Sequence, residues 1–274
     1  KKKKKKKTND NYNTLNLFIM KKMLFSLIAV LSLTACNVFD SDNDTIRLYT
    51  KIATVENPDS TAYFSYILDN GDKMKISSTY FPNFKPKSGQ RIIAYFSLIT
   101  ALDSASGYKY NTGLYDIYQV LTKGIFKITA STQDSIGNDP INISNIWVGS
   151  HYLNIEFSYY GANKTHYINL VSDSTQKYTD NKIHLEFRHN NNSDIPTNRK
   201  WGVVSFDLNS LKMNSAKDSI NLTIHSKESS NTNKTYDLTW KLNNTSSSES
   251  QAFSLPAKTE RVEQTRHSLA CKRD

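Results

Sequence analysis

Cysteine is scarce in this chain, and its scarcity limits both stability and chemistry. Only Cys36 and Cys271 occur among the 274 residues, and both lie outside the stretch that has the composition of a folded body. An exported protein can form disulfides, but none is expected within this body. Stability must come from burial of an apolar core, and the length allows two domains of ordinary size. A cysteine nucleophile within the body is excluded for the same reason.

Sequence motifs of catalysis are also lacking. The chain contains no G-x-S-x-G elbow, no glycine-rich phosphate loop and no HExxH spacing. His184 and Glu186 share one face of a predicted strand and could form a two-point metal ligand, but we favour a solvated strand face. We therefore expect no metal, no cofactor and no catalytic residue. The histidines available in the body for a metal site are His151, His166, His184, His189 and His225.

The folded part lacks an excess of charge of either sign. The whole chain has 35 basic and 25 acidic side chains, a net charge of +10. Residues 1–36 hold nine lysines and one aspartate, so residues 37–274 have 26 basic and 24 acidic side chains. The tail 257–274 has five basic and three acidic residues, which leaves 21 of each sign in residues 37–256. Binding to nucleic acid or to anionic membranes therefore has no electrostatic support.

The most informative stretch that is present is residues 24–36, LFSLIAVLSLTAC. Lysines after Met20 form a positively charged n-region, residues 24–33 form an apolar h-region, and Thr34-Ala35 provide small residues before a cleavage site. Together these features predict a secretory signal peptide. The run is shorter than the roughly 20 residues that span a bilayer. Residues 33–36 resemble the lipobox of bacterial lipoproteins. We predict that residues 20–35 are removed and that Cys36 is lipidated and anchors the chain in the outer membrane, facing the periplasm or the cell surface.

The segments on either side of the predicted signal peptide are polar. Residues 1–19 precede the first methionine and are interpreted as a non-coding leader rather than a nucleic-acid-binding arm. Residues 36–44 form an acidic tether. The spacing of its aspartates resembles the start of a calcium-binding loop, but the glycine and the closing glutamate of that loop are missing. Acidic residues after a lipidated cysteine resemble a surface-export signal of some anaerobic Gram-negative bacteria, and a plain solvated linker is the alternative.

Residues 45–123 are predicted to form a small all-β barrel of the OB type. Asn70-Gly71 lies between two of the predicted strands and is a strong hairpin signal. Five short strands in this length match the count of an OB-fold. The predicted strands are Ile46–Val55, Thr61–Leu68, Lys73–Ser77, Arg91–Ile99 and Tyr108–Leu121. Aromatic residues of this domain could form a platform on which nucleic-acid bases stack. The sequence shows no basic groove beside them, so we interpret them as residues of the barrel core or as a plug that closes the barrel. They are Tyr63, Tyr66, Tyr80, Phe81 and Phe84.

Residues 124–245 are predicted to form an antiparallel β-sandwich. Ile183, Leu185 and Phe187 alternate with polar residues, which is typical of a strand with one buried face. Six or more such strands with polar connections favour a sandwich. Residues 246–274 are expected to be a disordered tail. The predicted strands are Ile146–Tyr159, Thr165–Val171, Lys182–His189, Gly202–Leu208, Ser219–His225 and Tyr236–Leu242.

Five short motifs carry a resemblance to a known family. They are PKSGQR at 86–91, DSIGNDP at 134–140, NIWVG at 145–149, YLNI at 152–155 and LEFRHN at 185–190. With these motifs the chain resembles the NigD-like lipoproteins over about residues 20–245. The resemblance implies an OB domain followed by a β-sandwich, and it provides no catalytic residues to transfer. The family takes its name from a bacteriocin-associated operon, and the end of the tail does not resemble it.

A repeated triplet predicts possible modification. It consists of Asp, then Ser or Thr, then an apolar residue or Thr, and it resembles the O-glycosylation signal of exported proteins in anaerobic Gram-negative bacteria. The alternative is that Asp-Ser pairs mark turns at strand edges. Asp134, Asn138 and Asp139 could hold calcium, but we prefer a turn there. The candidate O-glycosylation residues are Thr45, Ser60, Ser104, Ser135, Ser174 and Ser219.

Three functions are compatible with these observations. The first, which we favour, is a non-catalytic, lipid-anchored binding or scaffold module of the cell envelope, with an envelope protein or glycan as partner. The second is a self-protection or accessory lipoprotein for a bacteriocin. The third is an envelope hydrolase, which would need a nucleophile or metal held near a base, and the sequence offers no motif for such a constellation.

Overall fold

The computed structural model describes residues 46–56, 63–129, 131–132, 136–212 and 218–242. The predicted leader, signal peptide, tether and tail, and with them Cys36, lie outside the described residues. Within the described ranges, no helix is both long and apolar enough to cross a membrane. The helical residues there include a four-residue helix α1 (Asn209–Lys212) and a 3₁₀ turn at Ser104–Ser106.

The first domain is a closed five-stranded barrel, with strand order β1-β2-β3-β5-β4. Pairs β1–β2, β2–β3, β4–β5 and β1–β4 are antiparallel, and β3–β5 is parallel. Tyr66 and Phe96 pack in its core, and the Tyr66 hydroxyl donates to Thr112 Oγ1 at 3.0 Å. The strands are β1 (Leu48–Glu56), β2 (Ser65–Leu68), β3 (Lys73–Thr79), β4 (Arg91–Ala101) and β5 (Tyr110–Gln119).

The second domain is a sandwich of two sheets, ordered β14-β13-β11-β10-β7 and β6-β12-β9-β8. Leu170, Phe187 and Phe206 are fully buried between the sheets. The strands are β6 (Leu121–Lys123), β7 (Ile125–Ile128), β8 (Asn142–Gly149), β9 (Tyr152–Gly161), β10 (Tyr167–Asp173), β11 (Ile183–Asn190), β12 (Asn198–Asp207), β13 (Ser219–Ser229) and β14 (Thr232–Lys241). The predicted all-β class, a barrel followed by a sandwich, is confirmed.

Two details of the sandwich differ from the sequence prediction. The single strand predicted over 146–159 is a hairpin, because the chain reverses at Ser150-His151 between β8 and β9. Ser150 has a φ of 55° there, a conformation usually marked by Asn or Gly. In addition, the described pairs β7–β10, β11–β13 and β6–β12 are parallel, so the sandwich is mixed rather than wholly antiparallel.

An apolar cluster joins the barrel to the sandwich. Ile52 of β1 and Ile93 of β4 lie directly opposite each other on the outer face of the barrel. They pack with Val203 of β12, and Trp147 and Trp201 close the cluster. Burial on both faces explains why Arg91, the first residue of β4, is followed by the continuous apolar run IIAYF rather than by an alternating pattern.

A polar network centred on Arg91 lies at the same contact. Arg91 forms a two-pronged ion pair with Asp69 of the barrel, with N–O distances of 2.6 and 3.0 Å. Its remaining N–H groups donate to Thr54, Asn154 and Ser205. Asn154 and Ser205 belong to the sandwich strands β9 and β12, so one buried guanidinium ties the two domains together.

Candidate functional site

Three tyrosines form a row on the outer surface of the barrel. Leu114 and Phe96 point into the core, so their strand neighbours point outward. Tyr115 is the extra residue at a bulge, where Tyr95 pairs with Asp116 and Phe96 with Leu114. Bulges redirect side chains, often beside functional sites. Here the bulge brings the Tyr115 ring within 5.3 Å of Tyr80 and 6.4 Å of Tyr95, measured between centroids.

A second row of small polar residues runs beside the tyrosines. Ser78 and Ser97 both pair with Gly113 across the sheet. A Cβ at Gly113 would lie 3.0 Å from Ser78 Oγ and 3.3 Å from Ser97 Oγ, so both side chains lie on the outer side of the sheet. Ser78 is exposed there, whereas Ser97 and Gly113 are buried. We call the two rows together the tyrosine face, comprising Ser78, Tyr80, Tyr95, Ser97, Gly113 and Tyr115.

A buried chain of hydrogen bonds runs through two histidines of the sandwich. His189 Nδ1 donates to the Pro140 carbonyl at 3.0 Å, and His166 Nε2 lies 3.1 Å from Asp194 Oδ2. Between them, His166 Nδ1 and His189 Nε2 are 2.8 Å apart. The Pro140 carbonyl can only accept, so each of the three hydrogen bonds needs its own proton. All three therefore form together only when the two imidazoles and the Asp194 carboxyl share three protons. Tyr159 stacks on His166, with 4.4 Å between ring centroids.

The electrostatics of this chain follow from burial and hydrogen bonding. Burial lowers the pKa of His189 to about 4, because its charged form loses hydration. Burial alone would raise the pKa of Asp194, but hydrogen bonds from His166 and the Ala162 amide outweigh it and lower that pKa to about 2. The adjoining cavity of about 30 Å³, bordered by Lys164 and Lys200, has room for little more than a water molecule.

A second histidine pair lies nearer the surface of the five-stranded sheet. His184 Nδ1 and His225 Nε2 are 2.8 Å apart, and His184 Nε2 lies 2.9 Å from Asp180. Tyr178 stacks in parallel on His184 with centroids 3.5 Å apart. Burial and the neighbouring His184 lower the pKa of His225. Among the described residues, no three His, Cys, Asp or Glu side chains are grouped so that they could hold a metal ion.

The structure separates the other predicted site residues. Tyr66 and Phe84 belong to the barrel core or pack against it, as interpreted from the sequence. Tyr63 and Tyr80 are exposed, so their interpretation as core or plug is wrong, and no single stacking platform forms. Asp139 Oδ2 accepts the Asn191 amide at 2.8 Å. Gly137, with φ of 73°, packs against Asn190. These contacts fit the turn that we preferred to a calcium site, and Asp134 lies outside the described residues.

Three of the six candidate glycosylation residues can be placed. Ser104 and Ser174 are exposed, and Ser219 is half-buried at the start of β13. The preceding Asp103 and Asp173 each accept a backbone N–H two residues further on, at 2.7 and 2.8 Å. This is an Asx turn, so these two triplets do form turns, while the exposed hydroxyls of Ser104 and Ser174 remain available for modification. Thr45, Ser60 and Ser135 lie outside the described residues, as does the predicted lipidation site Cys36.

Comparison with known proteins decides the family. Residues 52–120 match the NigD-like N-terminal OB domain, and residues 124–240 match the NigD-like C-terminal β-sandwich domain. The chain belongs to the NigD-like family. None of the curated proteins matches it.

Solved structures share this two-domain arrangement. A protein of unknown function from Bacteroides vulgatus has 26% identity and a TM-score of 0.66, covering 79% of this NigD-like chain and 99% of its own. A protein described as toxin-related, from Parabacteroides distasonis, has 30% identity and a TM-score of 0.61, covering 73% and 96%. A NigD-like immunity protein from Bacteroides caccae has 17% identity and a TM-score of 0.52, covering 72% and 94%, and shows the fold alone.

Residues of the family-like motifs form contacts between the two domains and between segments of the sandwich in this NigD-like chain. Arg91, Gly149 and Asn154 meet at the contact between barrel and sandwich, where a Cβ on Gly149 would collide with Asp69. The DSIGNDP and LEFRHN segments bind each other through the Asp139 amide and the His189 carbonyl, 2.7 Å apart. The tyrosine face lies outside all five motifs. Sequence analysis missed this face because Tyr95 and Tyr115 occur in ordinary strand context.

Proposed function

We propose that this NigD-like protein is a lipid-anchored, non-catalytic binding module of the cell envelope that presents its tyrosine face to a partner. Exposed aromatic surface on the barrel carries the proposal, since Tyr80 is 73% exposed and its ring contacts Tyr115. Contiguous exposed aromatic patches mark interaction sites, and tyrosine is enriched in such sites because it supplies contact area with little loss of entropy.

The arrangement of the buried histidines also supports a role without catalysis. Both ends of the His166–His189 chain terminate on protein acceptors, Pro140 O and Asp194. A general base needs a free nitrogen within reach of a substrate proton, and this chain uses its nitrogens to join three segments of the sandwich. It acts as an internal brace.

The lipobox-like stretch before Cys36 and the family membership support placement in the envelope. Lipidation at Cys36 would fix the chain to the outer membrane. Residues 37–256 have no net charge, so the lipid anchor would act without electrostatic attraction to the membrane surface. Use of the exposed Asp-Ser triplets for O-glycosylation is a further proposal. It predicts an intact mass, for protein purified from the native host, above the sequence mass by whole glycan units.

Affinity capture from detergent-solubilised native envelope tests the binding function. The wild-type protein should retain a reproducible partner that Tyr80→Ala loses and that the sandwich variant Tyr160→Ala keeps. Tyr160 is a suitable control because it is also a largely exposed tyrosine, at 59%. Recovery of the same material by wild type and Tyr80→Ala would count against the tyrosine face as the binding site.

Self-protection against a bacteriocin is the second candidate function. It is favoured by the descriptions of two structural neighbours, one as toxin-related and one as an immunity protein. Deletion of the gene, followed by exposure to bacteriocin from the same strain, separates the two. Increased sensitivity supports self-protection, and unchanged sensitivity leaves the general binding function as the better account.

A further inference from the structure

We propose that the tyrosine face binds a neutral saccharide. This inference rests on the proposed function, because it names the ligand class of the same surface. It is drawn from the combination of three features: an aromatic row, the exposed Ser78 hydroxyl and the negative charge of Asp116, which follows Tyr115 in the sequence.

The aromatic row offers apolar surface of the kind that a sugar ring can cover. Pyranose rings have faces made largely of C–H bonds, and these faces pack on the negative face of an aromatic ring. Tyr80 and Tyr115 are tilted by 37°, and Tyr95 is nearly perpendicular to Tyr115 at 75°. The rings therefore present both faces and edges to the outside, which suits a saccharide lying across the row rather than an inserted flat base.

An exposed hydroxyl beside the tyrosines supplies a hydrogen-bonding group of matching chemistry. Ser78 is exposed, whereas its neighbours across the sheet, Gly113 and Ser97, are buried. A hydroxyl both donates and accepts, as sugar hydroxyls do. A wholly apolar peptide covering Ser78 would offer its hydroxyl no partner, at a cost in affinity.

The charge of the residue next to Tyr115 disfavours anionic ligands. Asp116 pairs with Tyr95 across β4 and β5 and follows Tyr115 directly. Its carboxylate accepts from the Tyr118 hydroxyl at 2.5 Å and from the Ile117 amide at 2.9 Å. None of the six residues of the face is basic. Sulfated or phosphorylated polymers would therefore meet a like charge, whereas a neutral saccharide can donate hydroxyls to it.

Binding of the purified full-length, detergent-solubilised protein to an array of immobilised oligosaccharides tests the inference. The array contains neutral hexose and N-acetylhexosamine oligomers, each beside its sulfated counterpart. We expect the wild-type protein to bind neutral oligomers. Tyr80→Ala and Tyr115→Ala should lose about tenfold or more in affinity, because a central aromatic contact contributes at least about 1.4 kcal/mol, which is a factor of ten. Tyr160→Ala should show little change. Tyr115→Phe keeps the ring and should retain most of the binding.

Three results would overturn the inference: no binding to any neutral oligomer, binding only to sulfated oligomers, or binding that neither alanine variant weakens. The envelope capture separates this failure from failure of the proposed function. A captured protein partner that depends on Tyr80, without saccharide binding, refutes the ligand class and leaves the binding module intact. Absence of both refutes the two together. A circular dichroism spectrum for each variant verifies that the barrel is folded.

Discussion

Removing the carboxylate of Asp69 is the most direct perturbation of the contact between barrel and sandwich. Arg91 has five N–H donors, and the protein provides acceptors for all of them on Asp69, Thr54, Asn154 and Ser205. The Arg91 side chain is 0% exposed, and its guanidinium lies 4.3 Å from the centre of the Tyr152 ring. Asp69→Ala would leave this cation buried without its counter-ion.

The size of the effect follows from this geometry. Breaking a buried ion pair by removing one partner costs about 3–5 kcal/mol, because the remaining charge is desolvated and uncompensated. Asn154 also loses the acceptor of its Nδ2 group, which is 2.9 Å from Asp69 Oδ2. For a folded part of this size, each kcal/mol lowers Tm by about 2–4 °C, so we expect Tm to fall by about 6–20 °C.

Urea unfolding followed by tryptophan fluorescence measures the effect. Trp147 and Trp201 lie at the domain contact, so their emission reports on it directly. Glu56→Ala is the matched control, because it breaks the partly exposed Glu56–Lys73 pair, which should contribute less than about 1 kcal/mol. The double variant Asp69→Ala with Arg91→Met should be less destabilised than the sum of the two single changes, since it leaves no unpaired charge. A loss below about 1 kcal/mol for Asp69→Ala, or strict additivity, would refute this account of the contact.

Three further outcomes are expected. The pKa of His189 is about 4 in the folded state and near 6.5 when unfolded, so its contribution to stability is present above pH 6.5 and is lost as pH falls towards 4. His189→Gln should therefore reduce the fall in the free energy of unfolding between pH 6.5 and 4, measured by urea unfolding, by up to about 3 kcal/mol. An unchanged pH dependence would contradict this assignment. Gly161→Ala should lower the free energy of unfolding by about 1–3 kcal/mol through overpacking, because a Cβ there lies 2.7 Å from His166 Nε2. Gly124→Ala is the control, since a Cβ at Gly124 meets nothing within 4 Å. Equal thermal stability of the two variants would argue against the histidine brace. Cys36→Ala should leave the protein unprocessed or released from membranes, and an unchanged mass and membrane fraction would exclude lipidation.

The fold class was predictable because alternation and turn chemistry are local signals. Leu185 and Phe187 alternate with polar neighbours and do face the sandwich core, and Asn70-Gly71 does separate β2 from β3. The β8–β9 hairpin was missed since Ser150-His151 has no residue that favours a left-handed turn. Parallel pairing of β6, β7 and β13 depends on where distant strands meet, which periodicity does not encode.

The candidate site was largely unpredictable from sequence for a related reason. A bulge at Tyr115 inserts one residue and breaks the period of two, so the approach of its ring to Tyr80 and Tyr95 is not encoded in a local pattern. The partners of Arg91 lie up to 114 positions away along the chain. His166 and His189 were noted as histidines, but their pairing requires β10 and β11 to be adjacent in register. Family resemblance did not help either, because its motifs lie at structural contacts and not at the tyrosine face.

Tyrosine-specific nitration, with and without native envelope material, tests the central claim most directly. Tyr80 and Tyr160 are both well exposed, at 73% and 59%, and each can be followed by peptide mass spectrometry. If the tyrosine face is the binding surface, added envelope material should slow nitration of Tyr80 and leave that of Tyr160 unchanged. Equal nitration of Tyr80 in both conditions, or protection of Tyr160 instead, would contradict the claim.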